Sequence, residues 1–394
     1  MRVAIVIQHL WPDPGGAELQ AWVLARALAA RLGGCDVVTS RHDPARAREE
    51  RVEGVRVVRL RSARLPLARR IVNGGSAFAF FLRHASDYDV IYGHCLSLFV
   101  LGALLAARLR GRPVALKPCT VGPCGDVAKV REGARGALLW RLFAGAERFL
   151  VESSAAASDV VGAGVDARRI ATLPNLPSRP RLAGRRAASD LATRAARRTE
   201  ARRALGLPER LTILFVGRLV PGKGLDVLAP AFEALARGVD ASLVIVGDGP
   251  ERATLAGWIE RGALGERVHL VGWQDDPERY FEAGDVLAHP SRSEAFANVL
   301  LEAMTAGLAI VTAPVGLAPD HLRDGESALF VPIGDARALA RALERLAGDE
   351  GLRVRLGEAA RRIADESFDV DRALDRCVAE LEAMSRRAGI VSAG

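Results

Sequence analysis

The alternation of short apolar runs with helical patterns is the feature that most constrains the fold of this chain. Val3–Ile7 predicts a buried strand, and Ala17–Leu32 predicts the helix that follows it. Strands and helices continue to alternate, and Leu98–Leu109 is another predicted helix. Such alternation is typical of a parallel sheet covered by helices on both faces. Further strands are predicted at Asp36–Thr39, Val55–Leu60, Val90–Tyr92, Val114–Leu116 and Phe149–Val151.

The second half of the chain repeats this architecture without repeating the sequence. We therefore predict an α/β fold made of two Rossmann-like αβα domains. Ligands bind outside the carboxyl ends of the strands in open parallel sheets, so two such sheets facing each other would form a cleft. The second series of strands is predicted at Ile213–Val216, Ser242–Val246, Val268–Val271, Asp285–Ala288, Ala309–Thr312 and Ala328–Val331.

The domain boundaries follow from a break in this pattern. We place the first domain at residues 1–177 and the second at residues 208–370. The connection, residues 178–207, contains nine arginines against two acidic residues. We interpret it as a solvated linker with a polar helix, and a basic patch for an anionic surface is the alternative. A helix at about residues 371–387 is expected to return and pack on the first domain.

Composition limits the classes of protein that fit. The chain has 394 residues, of which 49% are hydrophobic, so it can bury sizeable cores. The net charge of +8 attracts phosphate groups. Aromatic residues make up only 5%, and no basic run is interleaved with them, which disfavours a nucleic-acid partner.

The cysteines indicate neither disulfides nor a zinc site. Their number is odd, and no CxxC pair is repeated. Free thiols in a reducing cytoplasm are the expected state. The five are Cys35, Cys95, Cys119, Cys124 and Cys377.

The apolar stretches are too short to cross a bilayer. The longest, Leu96–Leu109, falls short of the ~20 residues that a spanning helix needs. We expect a cytoplasmic protein without a secretory signal. Basic Arg59–Arg70 precedes apolar Ile71–Phe81. This segment predicts either a buried helix or a peripheral contact with the inner face of the membrane.

Two features of the first half are candidates for ligand binding. Gly15 and Gly16 stand between a predicted strand and helix, where the backbone can approach a ligand closely; a tight turn without a ligand is the alternative. His94 stands at the carboxyl end of a predicted strand, where a structural and a functional role are equally open. His9 and His289 have similar placements with weaker support.

A glycine-rich loop with two cations opens the second half. Gly217-Arg218 and Lys223-Gly224 bracket a turn between a predicted strand and helix. Two cations beside oriented backbone amides suit a diphosphate. The loop nearly matches the P-loop of nucleotide triphosphatases. However, Gly224 replaces the Ser or Thr that binds magnesium, which disfavours that class.

Two glutamates mark a third loop. Glu294 and Glu302 are eight residues apart, which would separate them by ~12 Å along the axis if both were helical. Glycosidase carboxyl pairs lie roughly 5–9.5 Å apart, so hydrolysis is disfavoured. The pair is better suited to holding two ends of an extended ligand, and two surface glutamates are the alternative.

The order of these motifs resembles that of the retaining GT-B glycosyltransferases of family four, the group 1 glycosyl transferases. The resemblance extends from Val3 to about Phe368 and is most specific in the second half. The motifs follow one another as Gly217-Arg218, Lys223-Gly224, Glu294, Glu302, Gly316 and Asp324-Gly325.

The resemblance implies a reaction and a set of catalytic residues. A hexose would move, with retention and without a metal or cofactor, from a nucleotide diphosphate sugar to a glycan, lipid-linked or small-molecule acceptor. A UDP-sugar is the first expectation for the donor and a GDP-sugar the second. Arg218 and Lys223 would neutralise the leaving diphosphate. Glu294 would contact hydroxyls of the transferred sugar, and His94 would lie near that sugar.

Donor binding is implied for a wider set of residues. Glu302 would bind the ribose, and the loop with Trp273 and Gln274 would contact the base. The remaining donor-binding residues are Gly15, Gly16, Gly217, Gly247, Phe296, Ala297 and Asn298.

The chain departs from the family pattern at two positions near these motifs. Lys117-Pro118-Cys119-Thr120 stands where the family often has His-Gly after the strand. Glu294-Ala295-Phe296 stands where it often has Glu-Gly-Phe. Other readings are a GT-B sugar-nucleotide epimerase, a phosphorylase, or a sugar-nucleotide-binding protein without activity. The last would be favoured by loss of Arg218, Lys223 or Glu294, and all three are present.

Overall fold

The chain forms two compact units in a computed structural model that describes residues 1–10, 13, 15–63, 65–177 and 191–390. The first unit comprises the described residues of Met1–Ser178 and Val370–Gly394, and the second those of Arg179–Asp369. Each unit has its own sheet flanked by helices. The predicted α/β fold with two parallel sheets is confirmed.

Eight strands form the sheet of the first unit. They are β1 (Val3–Val6), β2 (Cys35–Ser40), β3 (Glu49–Val52), β4 (Val55–Leu60), β5 (Val90–His94), β6 (Val114–Lys117), β7 (Arg148–Val151) and β8 (Ile170–Thr172). Their order is β3-β4-β2-β1-β5-β6-β7-β8, and only β3 pairs antiparallel. β1, β2 and β5 are buried along their whole length, as expected of central strands in a sheet covered on both faces.

Strands β3 and β8 were not predicted from the sequence. The residues of β3, Glu-Glu-Arg-Val, alternate between exposed and half-buried, so the strand has no apolar pattern to recognise. β8 has three residues and lies at the other edge of the sheet.

Helices cover this sheet, and one of them comes from the end of the chain. Helix Val370–Arg387 packs on the sheet with Leu381 in the core, and Arg148 forms an ion pair with Glu380 at 2.8 Å. The other helices are α1 (Gly16–Leu32), α2 (Pro66–His84), α3 (Leu98–Leu109), α4 (Asp126–Arg131), α5 (Gly136–Ala144) and α6 (Ser154–Gly162).

Six parallel strands form the sheet of the second unit. They are β9 (Leu211–Val216), β10 (Ala241–Val246), β11 (Val268–Gly272), β12 (Val286–His289), β13 (Ala309–Thr312) and β14 (Leu329–Phe330). Their order is β11-β10-β9-β12-β13-β14, with parallel pairing throughout. The helices are α7 (Leu191–Leu205), α8 (Leu225–Ala236), α9 (Arg252–Arg261), α10 (Glu278–Ala283), α11 (Asn298–Ala306), α12 (Ala318–His321), α13 (Ala336–Gly348) and α14 (Glu350–Ser367).

The interpretation of residues 178–207 as a solvated linker is wrong for their second part. Residues 178–190 lie outside the described part of the chain. Helix α7 belongs to the second unit, where Arg202 is buried and bonds to Asp285 at 2.5 Å. Arg194 likewise pairs with Glu358 at 2.8 Å. These arginines have acidic partners within the unit, which composition alone did not show.

Helix α2 packs with one face only. Ala77 and Phe81 are buried, whereas Ile71 is 68% exposed. Among the helices that the structure describes, none has both the length and the apolar character needed to cross a membrane.

Candidate active site

The predicted donor residues follow neighbouring strands at one edge of the second unit's sheet. Because the strands are parallel, their carboxyl ends lie along the same edge. Along this edge Trp273 and Gln274 follow β11, Gly247 follows β10, Gly217 and Arg218 follow β9, and His289 ends β12. The sheet topology therefore arranges them in a row, which suits an extended ligand.

Two glycines let the turns after β9 and β10 touch. Gly247 has a φ of 141°, and a Cβ there would lie 1.9 Å from the carbonyl oxygen of Gly217. The amide of Gly217 donates to Val246 at 3.0 Å. A side chain at position 247 would push these turns apart, so the close approach of the two turns requires glycine there.

The turn that carries Lys223 is held by the loop after β12. Gly224 has a φ of 71°, and a Cβ there would lie 2.1 Å from the carbonyl oxygen of Pro290. Arg292 donates two side-chain bonds to Asp226 of α8, at 2.7 and 2.6 Å. Sequence analysis did not single out Arg292. Its bidentate pair fixes the loop in which Glu294 lies.

Glu294 lies between two nitrogen donors. Lys223 Nζ donates to its Oε1 at 2.6 Å, and His289 Nε2 lies 3.3 Å from the same oxygen. The other ring nitrogen of His289 lies 3.0 Å from Thr312 Oγ1. The side chain of Glu294 is 12% exposed and that of Lys223 is 24% exposed.

Electrostatics keep Glu294 ionised. Burial acts to raise its pKa, but the Lys223 ammonium and the hydrogen bond from His289 outweigh it and hold the pKa well below the usual range. Arg218 is exposed and forms no ion pair within the described residues. The edge therefore offers one fixed carboxylate and an accessible cation.

Glu294 and Glu302 are not two residues of one helix. Helix α11 begins at Asn298, after Ala297 in the left-handed region at a φ of 65°. The ~12 Å estimate from helical rise therefore does not apply to the pair, because Glu294 lies in the preceding loop. Glu302 is half-buried on α11. Phe296 and Ala297 are buried where the loop enters the helix.

Trp273 and Gln274 lie at the outer end of this row. The indole of Trp273 is exposed and donates to Asp275 Oδ1 at 3.0 Å. Gln274 beside it is half-buried. An exposed indole face offers a stacking surface for a planar base.

In the first unit, His94 is a buried histidine without a hydrogen-bond partner. It ends β5, is 1% exposed, and neither ring nitrogen has a partner within the described residues. Its ring contacts Tyr92 edge to face at 4.5 Å. Burial, and then the charge of Lys117, hold the pKa of His94 well below its ordinary value. Gly15 and Gly16 stand where α1 begins, after β1 of the same sheet.

Cys95 and Cys119 lie beside His94. Their sulfur atoms and a carboxylate oxygen of Asp126 lie within 4.8 Å of one another. The Asp126 carboxylate accepts bonds from the Cys119 amide at 2.8 Å and from Thr120 Oγ1 at 2.6 Å. We therefore assign the Asp126 carboxylate a role in holding this loop in its conformation. All five cysteines are free thiols.

Comparisons with known proteins agree with these features. Residues 15–176 match the glycosyl transferase 4-like domain, and residues 197–363 match the glycosyl transferases group 1. The D-inositol 3-phosphate glycosyltransferase of Corynebacterium diphtheriae is 30% identical over 91% of this chain and 90% of its own length. The chain therefore belongs to the group 1 glycosyltransferases, which have the GT-B fold.

Two further similarities are more limited, the first in coverage and the second in sequence identity. The lipopolysaccharide core biosynthesis glycosyltransferase LpsE of Rhizobium meliloti is 38% identical, but the alignment spans only 37% of this chain and 42% of that relative. The structure of Anabaena HepE in complex with UDP-glucose superposes with a TM-score of 0.77 at 21% identity, covering 97% of this chain and 100% of HepE. That likeness concerns the fold.

Proposed function

We propose that this protein is a retaining, metal-independent glycosyltransferase that moves a hexose from a nucleotide diphosphate sugar to an acceptor hydroxyl. The observation that carries the proposal is the carboxylate of Glu294, held ionised by Lys223 and His289 at the carboxyl edge of the second sheet. A fixed carboxylate accepts hydrogen bonds from sugar hydroxyls. Arg218 and Lys223 supply positive charge for the diphosphate as it leaves.

The surroundings of Glu294 disfavour a covalent intermediate on this carboxylate. A carboxylate engaged by an ammonium and an imidazole is a weak nucleophile, because its charge is already stabilised. We assign Glu294 to orienting the sugar and not to covalent attack. The acceptor hydroxyl would then attack from the face that the diphosphate leaves. Metal independence rests on Arg218 and Lys223, which would take the place of a metal ion in neutralising the diphosphate.

The donor and the acceptor are proposed from relatives and from the row of residues. HepE binds UDP-glucose, so a UDP-sugar is the first choice and a GDP-sugar the second. The donor would bind the second unit, with Trp273 and Gln274 near the base and Glu302 at the ribose. Relatives are named for inositol phosphate and for lipopolysaccharide core, so the acceptor is a glycan, a lipid-linked sugar or a small molecule.

The first unit would bind the acceptor. Neither ring nitrogen of His94 has a partner within the described residues, and Gly15-Gly16 opens a helix whose first amides would be available to a ligand. We also propose a peripheral membrane contact through α2. Ile71 and Val72 are exposed there beside Arg69 and Arg70, which suits an anionic surface carrying a lipid-linked acceptor.

A donor screen followed by product analysis tests the function. UDP and GDP sugars are first ranked by thermal stabilisation, which grows as RT ln(1 + [L]/Kd). The stabilising donor is then incubated with inositol phosphate, oligosaccharide and lipid-linked acceptors, with and without EDTA. We expect transfer that retains the anomeric configuration by NMR and persists in EDTA. Inversion, or loss of turnover in EDTA, contradicts the mechanism.

The same experiment separates the alternatives. An epimerase converts the donor sugar without any acceptor. A binding protein is stabilised by the donor but forms no product with any acceptor. Either result would overturn the proposed transfer.

A further inference from the structure

A buried polar network lies at the carboxyl edge of the first unit's sheet. Lys117 ends β6 and is buried. Its Nζ donates to Asn175 Oδ1 at 2.5 Å and lies 3.4 Å from Glu152 Oε2. Glu152 directly follows β7 and is also buried. A cation and a carboxylate thus meet out of contact with solvent, where each is costly unless paired.

This network lies next to His94. Strands β5 and β6 are parallel neighbours, and His94 is directly opposite Lys117 in their register. His94 is itself buried, with neither ring nitrogen bonded within the described residues. The network therefore borders the one side chain of the first unit for which the sequence predicts a catalytic role.

The other groups that face His94 leave Lys117 as its main charged neighbour. Burial raises the pKa of the Tyr92 phenol, and the hydrogen bond with Cys119, followed by burial, raises the pKa of the Cys95 thiol. The pKa of Cys119 is also raised: its bond with Cys95 acts to lower it, but burial and the nearby carboxylates together outweigh that bond. All three groups are therefore neutral near pH 7. The Asp126 carboxylate of α4 is occupied by backbone and hydroxyl donors. Glu152 stands on the far side of Lys117 in strand order.

We propose that Lys117 is a positioning residue for sugar transfer: held in place by Glu152 and Asn175, its charge keeps His94 uncharged and able to accept a hydrogen bond from a substrate hydroxyl. The proposal rests on the proposed function and deepens it. It also explains why lysine stands here, where the family resemblance leads us to expect His-Gly.

Physical chemistry gives the direction of the effect. A cation beside an imidazole disfavours the second positive charge that protonation would add. A neutral imidazole keeps one lone pair, which an imidazolium lacks. Burial acts in the same direction and is the larger cause at His94. The charge of Lys117 lowers the pKa of His94 further, and Glu152 and Asn175 hold that charge in place.

The test follows the titration of His94 in the full chain. Histidine-labelled protein is titrated by ¹H–¹⁵N NMR from about pH 5 to 8, a range that brackets the unperturbed histidine pKa, and His94→Gln assigns the signal. We expect His94 to stay neutral in the wild type. Lys117→Met should raise its pKa, and Lys117→Arg should leave it neutral.

Asn175→Ala separates charge from packing. This variant breaks the network but leaves Lys117 paired with Glu152, so the cation stays and His94 should remain neutral. Loosened packing would instead admit water and raise the His94 pKa in both Asn175→Ala and Lys117→Met, which would overturn the proposal. If Lys117→Met does not fold, the double variant Lys117→Met/Glu152→Gln removes both charges. A His94 pKa unchanged in it would also overturn the proposal.

Activity provides a second readout. Lys117→Met should lower kcat ~10-fold and leave the donor KM within about 2-fold, because the residue acts on the reacting geometry and not on donor binding. Lys117→Arg should recover most of kcat. A changed donor KM with unchanged kcat would contradict the assignment. Absence of transfer in the wild type would sink the proposed function but not the NMR result, so the two failures are distinguishable.

Discussion

The candidate site residues at the carboxyl edges of the two sheets differ in how far their side chains are exposed. In the second unit Arg218 is exposed and Lys223 is partly exposed, so both are accessible to an anionic ligand. In the first unit Lys117 is buried against Glu152 and Asn175, and His94 is buried and neutral. One edge suits a charged group that enters from solvent. The other suits a neutral hydroxyl.

Glycines sharpen the contrast. In the second unit Gly217 and Gly247 bring two turns into contact, and Gly224 lets the Lys223 turn approach the loop after β12. Backbone amides are thereby gathered next to cations, which is the arrangement that binds phosphates. In the first unit the Gly15-Gly16 turn follows β1, whereas the exposed Arg61 follows β4, which β2 separates from β1.

The largest expected effect comes from removing the second unit's cations. Arg218→Ala and Lys223→Ala should each lower kcat/KM by ~10²-fold or more, because each meets charge that develops on the leaving diphosphate. Arg237→Ala is the matched control, an exposed arginine that forms an ion pair with Glu233 of α8. Steady-state kinetics decide the matter. Turnover near that of the wild type in both variants would show that this edge does not bind the diphosphate.

A smaller effect is expected at Glu302. If it binds the ribose in ground and transition state alike, Glu302→Ala should raise the donor KM ~10-fold with little change in kcat. Glu344→Ala, an exposed glutamate of α13, serves as the control. A drop in kcat at constant KM would move Glu302 from donor binding to the chemical step.

The buried edge of the first unit predicts a pH effect on stability. The pKa of folded His94 is lowered, so the unfolded chain binds its proton first as the pH falls below about 6.5. Stability should therefore decrease with falling pH, by about 1.4 kcal/mol per pH unit at most for one group. Urea unfolding from about pH 7 to 5 measures it, since that range spans the unfolded pKa.

The control for this effect is His94→Gln, in which that part of the slope should vanish while the other histidines still contribute. Equal slopes in the two proteins would mean that His94 is not held neutral. Glu294 contributes no slope near neutral pH, because its window lies at lower pH. Because its folded pKa is depressed, its contribution is complete above the unfolded value of about 4.3 and is lost only at acid pH.

The smallest expected effect concerns an exposed isoleucine on the surface of each unit. Ile71 of the first unit is 68% exposed beside arginines, whereas Ile333 of the second is 50% exposed. Flotation with vesicles containing anionic phosphatidylglycerol should capture the wild type in a salt-sensitive manner. Ile71→Asp should reduce capture roughly 3-fold or more, given the apolar area lost, and Ile333→Asp should not. No capture at low salt would leave α2 as an ordinary packed helix.

The sequence predicted most elements because parallel strands are nearly continuous apolar runs. All six strands predicted in the second half are present, with ends shifted by no more than two residues. The polar edge strand β3 was not predictable from local pattern. A polar helix was predicted within residues 178–207, but its place in the second unit was not, because the arginines of α7 find partners only in the folded unit. His289 and Glu294 are five residues apart, and this spacing likewise did not predict their contact.

Sequence motifs named the candidate residues but not the bonds among them. The residues at the ends of β9, β10 and β12 were predicted because a glycine or charge follows each apolar run. Lys117 was noticed only as a departure from a family pattern. Its partners Glu152 and Asn175 come from other strand ends, and only the register of the sheet brings them together.

The most direct measurement of the central claim is nucleotide binding by the two edges. Calorimetric titration of UDP, with GDP in parallel, is carried out on the full-length wild type, Lys223→Ala and His94→Gln. We predict that Lys223→Ala weakens binding by ~10-fold or more, because it removes a phosphate counter-charge, whereas His94→Gln changes Kd by less than about 2-fold. Binding lost in His94→Gln and kept in Lys223→Ala would place the donor on the first unit and contradict this account.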